Sequence, residues 1–224
     1  TSWLDETVSA SFTLNGNAVT EWRSQVGSWA YGQGTTALQP TRVAGSPGWV
    51  LFNDQLLQAL PPTGAVFCVM RPAAGTRDWA FMIERPEPAT EPLTISYEEP
   101  GVSFFYSFGA VDAQGFRQDG VNIDPPPTWD ADRPRHNPRT PSAQWGTPIL
   151  VGVDYVGTSP LTGLGGVSNS DDSGSQMHMG QFITLSGDPT TATWERLEGW
   201  AAHKYGTAAQ LPADHPYKNA PPMK

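Results

Sequence analysis

Proline and glycine interrupt this sequence so often that few stretches are long enough for a helix. The chain has 22 prolines and 23 glycines among 224 residues. Between them lie short apolar segments such as VLF (50–52), AVFCVM (65–70) and ILVGV (149–153). Proline interrupts helices and central strands, and glycine favours turns. Short apolar segments bounded by such residues are typical of strands, so the sequence predicts an all-β fold.

Two segments depart from the strand pattern and are expected to be long loops. Residues 124–146 are rich in proline, and residues 163–176 are mostly small, flexible residues. Long loops in compact domains often carry function. A third segment, QLLQALP (55–61), is expected to form a short helical turn that Pro61 ends. We find no internal repeat and no convincing linker, so the chain, 1–224, is expected to be a single domain.

The C-terminal region is the exception to the strand pattern and predicts one helix, at about residues 191–205. Thr190, Thr191 or Thr193 can cap its first amides, and Gly206 can adopt the left-handed conformation that ends it. Five apolar residues three or four apart form a stripe that is expected to pack on a sheet. These residues are Trp194, Leu197, Trp200, Ala201 and Tyr205.

The rest of the C-terminal region is expected to lie at the surface. Glu195, Arg196 and Glu198 are expected to face solvent on the outer side of the helix. The tail, 207–224, contains four prolines and is expected to run extended along the surface, where Tyr217 and His215 hold it.

Charge and cysteine content exclude several classes of protein. The formal net charge is −9 and the sequence has no block of lysine and arginine, so nucleic acid is not an expected partner. The apolar runs are shorter than the roughly 20 residues of a membrane helix, so membrane insertion is not expected. Cys68 is the only cysteine, which rules out an internal disulfide, and its apolar surroundings predict an inert, buried thiol.

Two motifs, one near each end of the chain, resemble a known family. The first, in WLDETVSASFTLNGNAVTEWRSQVG, is similar to the opening strand of concanavalin A-like lectin/glucanase jelly rolls, which are related to laminin G-like domains and occur in tailed-phage structural proteins. The second, in LEGWAAHKYGTAAQLPADHPYKNAPP, is similar to the family's closing helix and tail. The matching positions are Asn15, Gly16, Val19, Trp22, Arg23 and Gly27, and Leu211, Pro212, His215, Pro216, Tyr217 and Lys218.

This resemblance implies both a fold and a role. The implied fold is a two-sheet antiparallel jelly-roll sandwich whose N- and C-terminal strands lie near each other and whose closing helix packs against the sandwich. The implied role is that of a non-enzymatic virion protein, a head decoration, head fibre or tail-associated lectin-like module, assembled in the host cytoplasm. Its implied partners are other virion proteins and host-surface polysaccharide, and homo-oligomerisation stays open. No cofactor is implied.

The sequence does not predict catalysis. A glycosidase of this fold class needs two carboxylates on one face of a strand, but Glu98 and Glu99 are adjacent and would point to opposite faces. The serine-hydrolase elbow GxSxG is missing, and no motif marks any of the four histidines. A carbohydrate-active enzyme of the same fold and a secreted bacterial carbohydrate-binding adhesion module nevertheless remain alternative interpretations.

Aromatic and basic residues in turns and loops are the candidate ligand-binding residues. An exposed aromatic ring can stack on a sugar or anchor a partner, although each ring can also fold back onto the sandwich. A basic cluster in an acidic protein suits an acidic polysaccharide or a negative patch on a neighbouring subunit. The candidates are Trp29, Tyr31, Trp129 and Trp145, with the basic cluster Arg133, Arg135, His136 and Arg139.

Calcium is the one metal that the sequence raises. Asp171 and Asp172 lie among flexible small residues and offer hard oxygen ligands. Ordinary turn chemistry is the favoured interpretation of such a pair, so no metal site is assigned.

Overall fold

The structure is a computed structural model, and the account below concerns the residues that it describes. These are residues 2–53, 55–58, 62–72, 81–84, 93–99, 102–107, 113–123, 147–160, 163–165 and 176–223.

Most of the described chain is β-strand. The strands are β1 Ser2–Asp5, β2 Phe12–Asn15, β3 Ala18–Arg23, β4 Ala30–Gly32, β5 Thr41–Val43, β6 Trp49–Asn53, β7 Leu56–Gln58, β8 Pro62–Pro72, β9 Phe81–Glu84, β10 Leu93–Glu99, β11 Val102–Ser107, β12 Ala113–Gln118, β13 Val121–Ile123, β14 Ile149–Pro160, β15 Gly163–Gly165 and β16 Gln176–Leu185. Short 3₁₀ turns lie at Ser9–Ser11, Thr36–Leu38 and Ala208–Gln210.

The strands pair in antiparallel fashion along one continuous path. Its order is β11-β10-β9-β15-β7-β4-β3-β5-β6-β16-β8-β14-β12-β13, with β2 added beside β3 and β1 beside β16. β1 pairs with the last strand through the register Ser2↔Thr184 to Asp5↔Gln181. The prediction of an all-β fold is therefore confirmed, and the first and last strands are neighbours as the resemblance implies.

Strand β8 separates two hydrophobic cores because its side chains alternate between two faces. Core 1 lies on one face, where residues of β3, β4, β6, β7 and β15 meet residues of β8, β14 and β16. Core 2 lies on the other face, beneath the C-terminal helix and tail. Six consecutive residues of β8 are at most 1% exposed: Val66, Cys68 and Met70 contribute to core 1, and Ala65, Phe67 and Val69 to core 2. The prediction that Cys68 is buried is confirmed.

The predicted helix is present as α1, Thr191–Tyr205. Thr190 is the N-cap, and its hydroxyl accepts a hydrogen bond from the Thr193 amide at 3.3 Å. Gly206 ends the helix with a φ of 73°. Trp194 is 4% exposed and lies against Gly152 of β14, where a side chain would collide with the indole. The helix thus covers core 2, as predicted from its apolar stripe.

Three local predictions are wrong. Glu198 does not face solvent but is 1% exposed, because its position on α1 falls between Trp194 and Ala202 on the buried face. The segment 55–61 does not contain the expected helical turn at residues 56–58, which form β7 and pair with β15 and β4. Residues 163–165 of the second expected loop form β15, which pairs with β7 and β9.

The tail is not extended along the surface as predicted. After the 3₁₀ turn at Ala208–Gln210 it folds through two further turns, in which the His215 amide donates to the Pro212 carbonyl at 3.1 Å and the Lys218 amide to the His215 carbonyl at 3.0 Å. These local hydrogen bonds satisfy backbone groups that an extended chain would leave to water. Leu211 and His215 are buried as a result, at 2% and 7% exposure.

Candidate functional site

The two aromatic candidates in the β3–β4 hairpin have different environments. Tyr31 is 1% exposed in core 1, with its hydroxyl 2.9 Å from the Ser2 Oγ and its ring edge-on to Phe182. The expectation that this ring is available on a turn is therefore wrong, because β4 turns it inward. Trp29 is half-buried against core 1, and its carbonyl accepts a hydrogen bond from the Ser24 amide at 2.9 Å.

The other candidate residues lie outside the described residues. They are Trp129, Arg133, Arg135, His136, Arg139 and Trp145, together with Asp171 and Asp172. Their binding role stays a prediction.

The structure does bring polar residues together where the tail folds back on α1. The Arg117 guanidinium donates to both carboxylate oxygens of Glu198, at 2.7 and 3.0 Å, and His215 Nε2 lies 3.4 Å from Glu198 Oε2. The side chains of Glu198 and His215 are each 2% exposed. We call Arg117, Glu198 and His215 the tail clasp, because they join β12, α1 and the tail.

Close packing also holds the tail against α1. Tyr217 lies directly over Gly199, where an added methyl group would overlap the Tyr217 side chain. His203 Nε2 is 2.9 Å from the Tyr217 carbonyl oxygen. The Lys218 ammonium donates to the carbonyls of Ala209 and Leu211. Residues of the C-terminal motif thus bind the tail to the helix.

Asp119 lies in the β12–β13 turn beside the tail clasp. It adopts a positive φ of 48° and accepts hydrogen bonds from the Leu150 amide at 3.0 Å and from Gln118 Nε2 at 3.2 Å. Burial raises the pKa of its carboxyl to about 6, and the nearby charge of Glu198 acts in the same direction.

A second polar cluster binds the N-terminal segment to the end of α1. Lys204 Nζ donates to Asp5 Oδ1 at 2.8 Å, and the Tyr205 hydroxyl donates to Glu6 Oε2 at 2.6 Å. We call Asp5, Glu6, Lys204 and Tyr205 the N-terminal latch. Beside it, Trp3 and Trp200 pack edge to face with centroids 5.2 Å apart.

The pKa values of the two acids of the latch are shifted in opposite directions. Burial raises the pKa of Glu6 to about 7, and the hydrogen bond from Tyr205 and the charge of Lys204 only partly offset it. Burial would also raise the pKa of Asp5, but hydrogen bonds from Lys204 and Thr7 outweigh it and leave that pKa below its ordinary value.

The chemistry available to these clusters is structural. A carboxyl with a pKa near neutrality beside a tyrosine could exchange protons with a substrate. The Glu6 side chain, however, is 0% exposed, so no substrate reaches it in this conformation. The latch and the clasp therefore act as structural contacts.

The signal in the sequence that could have revealed the burial of Glu198 is its position four residues after Trp194 and four before Ala202, on the buried face of the helix.

A third polar group lies on the sheet face next to the end of α1. The Arg71 guanidinium lies over the Trp49 ring, 4.5 Å from its centroid, and the imidazole of His178 meets the same ring edge-on at 6.3 Å. Trp49 in turn contacts Tyr205 at 5.2 Å between ring centroids. Sequence reasoning missed this group because the three residues come from strands β6, β8 and β16, far apart along the chain.

Within the described segments, no group of three or more histidine, cysteine, aspartate or glutamate residues is arranged to hold a metal ion. The described helix is neither long nor apolar enough to cross a bilayer.

Comparison with known proteins gives no further assignment. No protein-family model, no curated protein and no solved structure matches this chain.

Proposed function

We propose that this chain is a non-enzymatic structural protein of a phage particle, a head decoration, head fibre or tail-associated module, built as a concanavalin A-like jelly-roll sandwich. It attaches to other virion proteins and presents its loops to host-surface polysaccharide. The proposal starts from the two terminal motifs that resemble this family.

The observation that carries the proposal is the way these two motifs are used together. The N-terminal motif supplies β1, which pairs with the last strand, and the latch residues Asp5 and Glu6, which bind α1. The C-terminal motif supplies the second half of α1, from Leu197, and the tail that folds over it. Both ends are thereby fixed to one all-β body, an arrangement that suits a subunit that must survive outside the cell. This supports a fold like that of the resembled family.

The direct test is to look for the chain in purified phage particles from the host that carries its gene. We expect the protein to remain with the particles through a density gradient, in a fixed ratio to the major capsid protein, and an antibody against it to label the head or the tail. A protein that stays in the supernatant, with unlabelled particles, would contradict the proposal.

The enzymatic alternative is tested separately by incubating the purified chain with laminarin, agar, alginate and host capsule. We expect no release of reducing ends. Release that a single carboxylate substitution abolishes would favour a carbohydrate-active enzyme instead.

A further inference from the structure

A row of three side chains crosses the sheet just beyond the end of α1. His178 of β16 stands directly opposite Leu51 of β6 on one side and Arg71 of β8 on the other. Neighbouring strands lie about 4.8 Å apart, so the row is about 10 Å long. All three side chains are half-buried.

The row faces the same side of the sheet as the helix. Leu51 lies two residues beyond Trp49, and Arg71 lies two residues beyond Val69, so each shares a face with a core 2 residue. The row containing Trp49 is covered by Tyr205. The row Leu51–His178–Arg71 therefore forms the partly accessible margin of this face.

We propose that this row binds a sugar that carries a carboxylate, such as a uronic acid. The inference deepens the glycan-binding half of the proposed function and rests on it.

The first argument is the uncompensated positive charge of Arg71. Among the described residues, no carboxylate lies within 4.0 Å of its guanidinium. The guanidinium is instead held over the Trp49 ring, which fixes its orientation before any ligand arrives. In a protein of net charge −9, such a group offers a local site for an anion.

The second argument is the unused hydrogen-bonding capacity of His178. Its Nδ1 atom is buried and has no hydrogen-bond partner within the described segments. Burial and the adjacent charge of Arg71 lower the pKa of the imidazole, and a hydrogen bond with the Arg71 backbone only partly offsets them. The unpaired Nδ1 atom is the feature that indicates a missing hydrogen-bonding partner.

The chemistry of the row selects the class of ligand. A guanidinium binds a carboxylate through two parallel hydrogen bonds, and Leu51 offers an apolar contact at the other end of the row. A uronic acid presents a carboxylate and the C–H face of its ring together. A neutral sugar that needs an aromatic platform is less well matched, because Arg71 already covers the Trp49 ring. A protein partner would need about 800 Å² of surface, far more than this row provides.

The test is titration calorimetry of the whole chain with trigalacturonate, using a neutral galactose trisaccharide as the uncharged probe. We expect saturable binding of the acidic trisaccharide only. Arg71→Gln should weaken this binding by about tenfold or more, and His178→Gln should weaken it severalfold. Arg71→Lys, which keeps the charge and the aliphatic stem over Trp49, should retain part of the binding even if Arg71→Gln lowers stability.

Arg42→Gln is the matched control. Arg42 also stacks on an aromatic ring, that of Phe12 at 4.9 Å, but its side chain belongs to the core 1 side and donates to the Ser9 hydroxyl at 3.0 Å. This variant should bind the trisaccharide as the natural sequence does.

Three results would overturn the assignment: no saturable binding, equal binding of the neutral trisaccharide, or full binding by Arg71→Gln. Binding of polyglutamate in place of the acidic sugar would also overturn it and would indicate an acidic protein partner. Particle association is measured independently. A chain that joins particles but binds no sugar loses only this site, and one that binds the sugar but is absent from particles loses only the virion role.

Discussion

Glu198 is buried between the Arg117 guanidinium and the His215 imidazole, and its carboxylate is the negative partner of the ion pair with Arg117. Replacing Glu198 with glutamine would leave the Arg117 guanidinium, whose side chain is 14% exposed, without its carboxylate. Removing one partner of a buried ion pair typically costs about 3–5 kcal/mol, so we expect a loss of this order in the free energy of unfolding, measured by urea denaturation.

Glu195→Gln is the control for this prediction, since Glu195 lies on the same helix but is only half-buried and has no resolved ion pair among the described residues. It should change the free energy of unfolding by about 0.5 kcal/mol or less. Equal effects of the two substitutions would mean that the Arg117 pair contributes nothing specific.

Glu6 makes stability depend on pH in a direction opposite to that of an ordinary salt-bridged acid. Its pKa is raised from 4.5 to about 7 in the folded protein, so between these values the folded state holds a proton that the unfolded chain releases. Its stabilising contribution is complete below pH 4.5 and is lost as the pH rises through 7. Glu6→Gln, which mimics the protonated form, should therefore be about 2–3 kcal/mol more stable than the natural sequence at pH 8.

The comparison of the two proteins isolates Glu6 from other titrating groups. Asp119 has a raised pKa and acts in the same direction, whereas Asp5 has a lowered pKa and acts in the opposite one. Urea denaturation at pH 4.5 and pH 8 should show similar stabilities at the lower pH and a gap at the higher. A constant difference at both pH values would mean that Glu6 does not titrate in this range.

At the scale of elements, the tail and α1 are joined by a contact that leaves no room for a side chain. Gly199→Ala should stabilise α1 by about 1 kcal/mol, because alanine has the higher helix propensity. Its methyl group, however, would overlap Tyr217 and displace the tail. We expect faster hydrogen exchange at the amides of His215 and Lys218, whose hydrogen bonds form the tail turns, while the amides of α1 remain protected.

Gly187→Ala serves as the comparison, because a methyl group at this exposed position meets nothing within 4 Å. Its exchange pattern should match that of the natural sequence. Unchanged protection of the tail in Gly199→Ala would show that the tail does not depend on this contact.

Elements defined by neighbouring residues were predictable from the sequence, and those defined by distant partners were not. Helix α1 follows from its cap at Thr190, its stop at Gly206 and its apolar stripe, all within one short segment. The burial of Glu198 depends on Arg117, which is 81 residues away along the chain. Strand β7 likewise exists because β15 and β4 pair with it, which local propensity does not reveal.

The candidate site shows the same division. The pattern around Trp29 and Tyr31 indicated a turn with two aromatic residues, but the burial of Tyr31 depends on Ser2 and Phe182, which are distant along the chain. The row Leu51–His178–Arg71 depends on the register of three strands, and a shift of one residue would move it to core 1.

At the scale of the whole molecule, the two cores share a strand and should melt together. Tryptophan fluorescence and far-UV circular dichroism should therefore give the same urea midpoint, as expected for a single domain. Val66→Ala in core 1 and Val69→Ala in core 2 should each lower the free energy of unfolding by about 2 kcal/mol. Each should therefore lower the common midpoint. Separate midpoints, or a variant that shifts only one probe, would mean that the two cores unfold independently.

The alternation along β8 also limits how this protein can change over time. A strand with one solvent-exposed face can accept a polar substitution at every second position, but residues 65–70 have no exposed position. Substitutions should therefore be tolerated mainly in the hairpins, the loops and the outer side of α1. In related sequences, differences should accumulate at those outer segments, while the six residues of β8 should stay apolar and close to their present volumes.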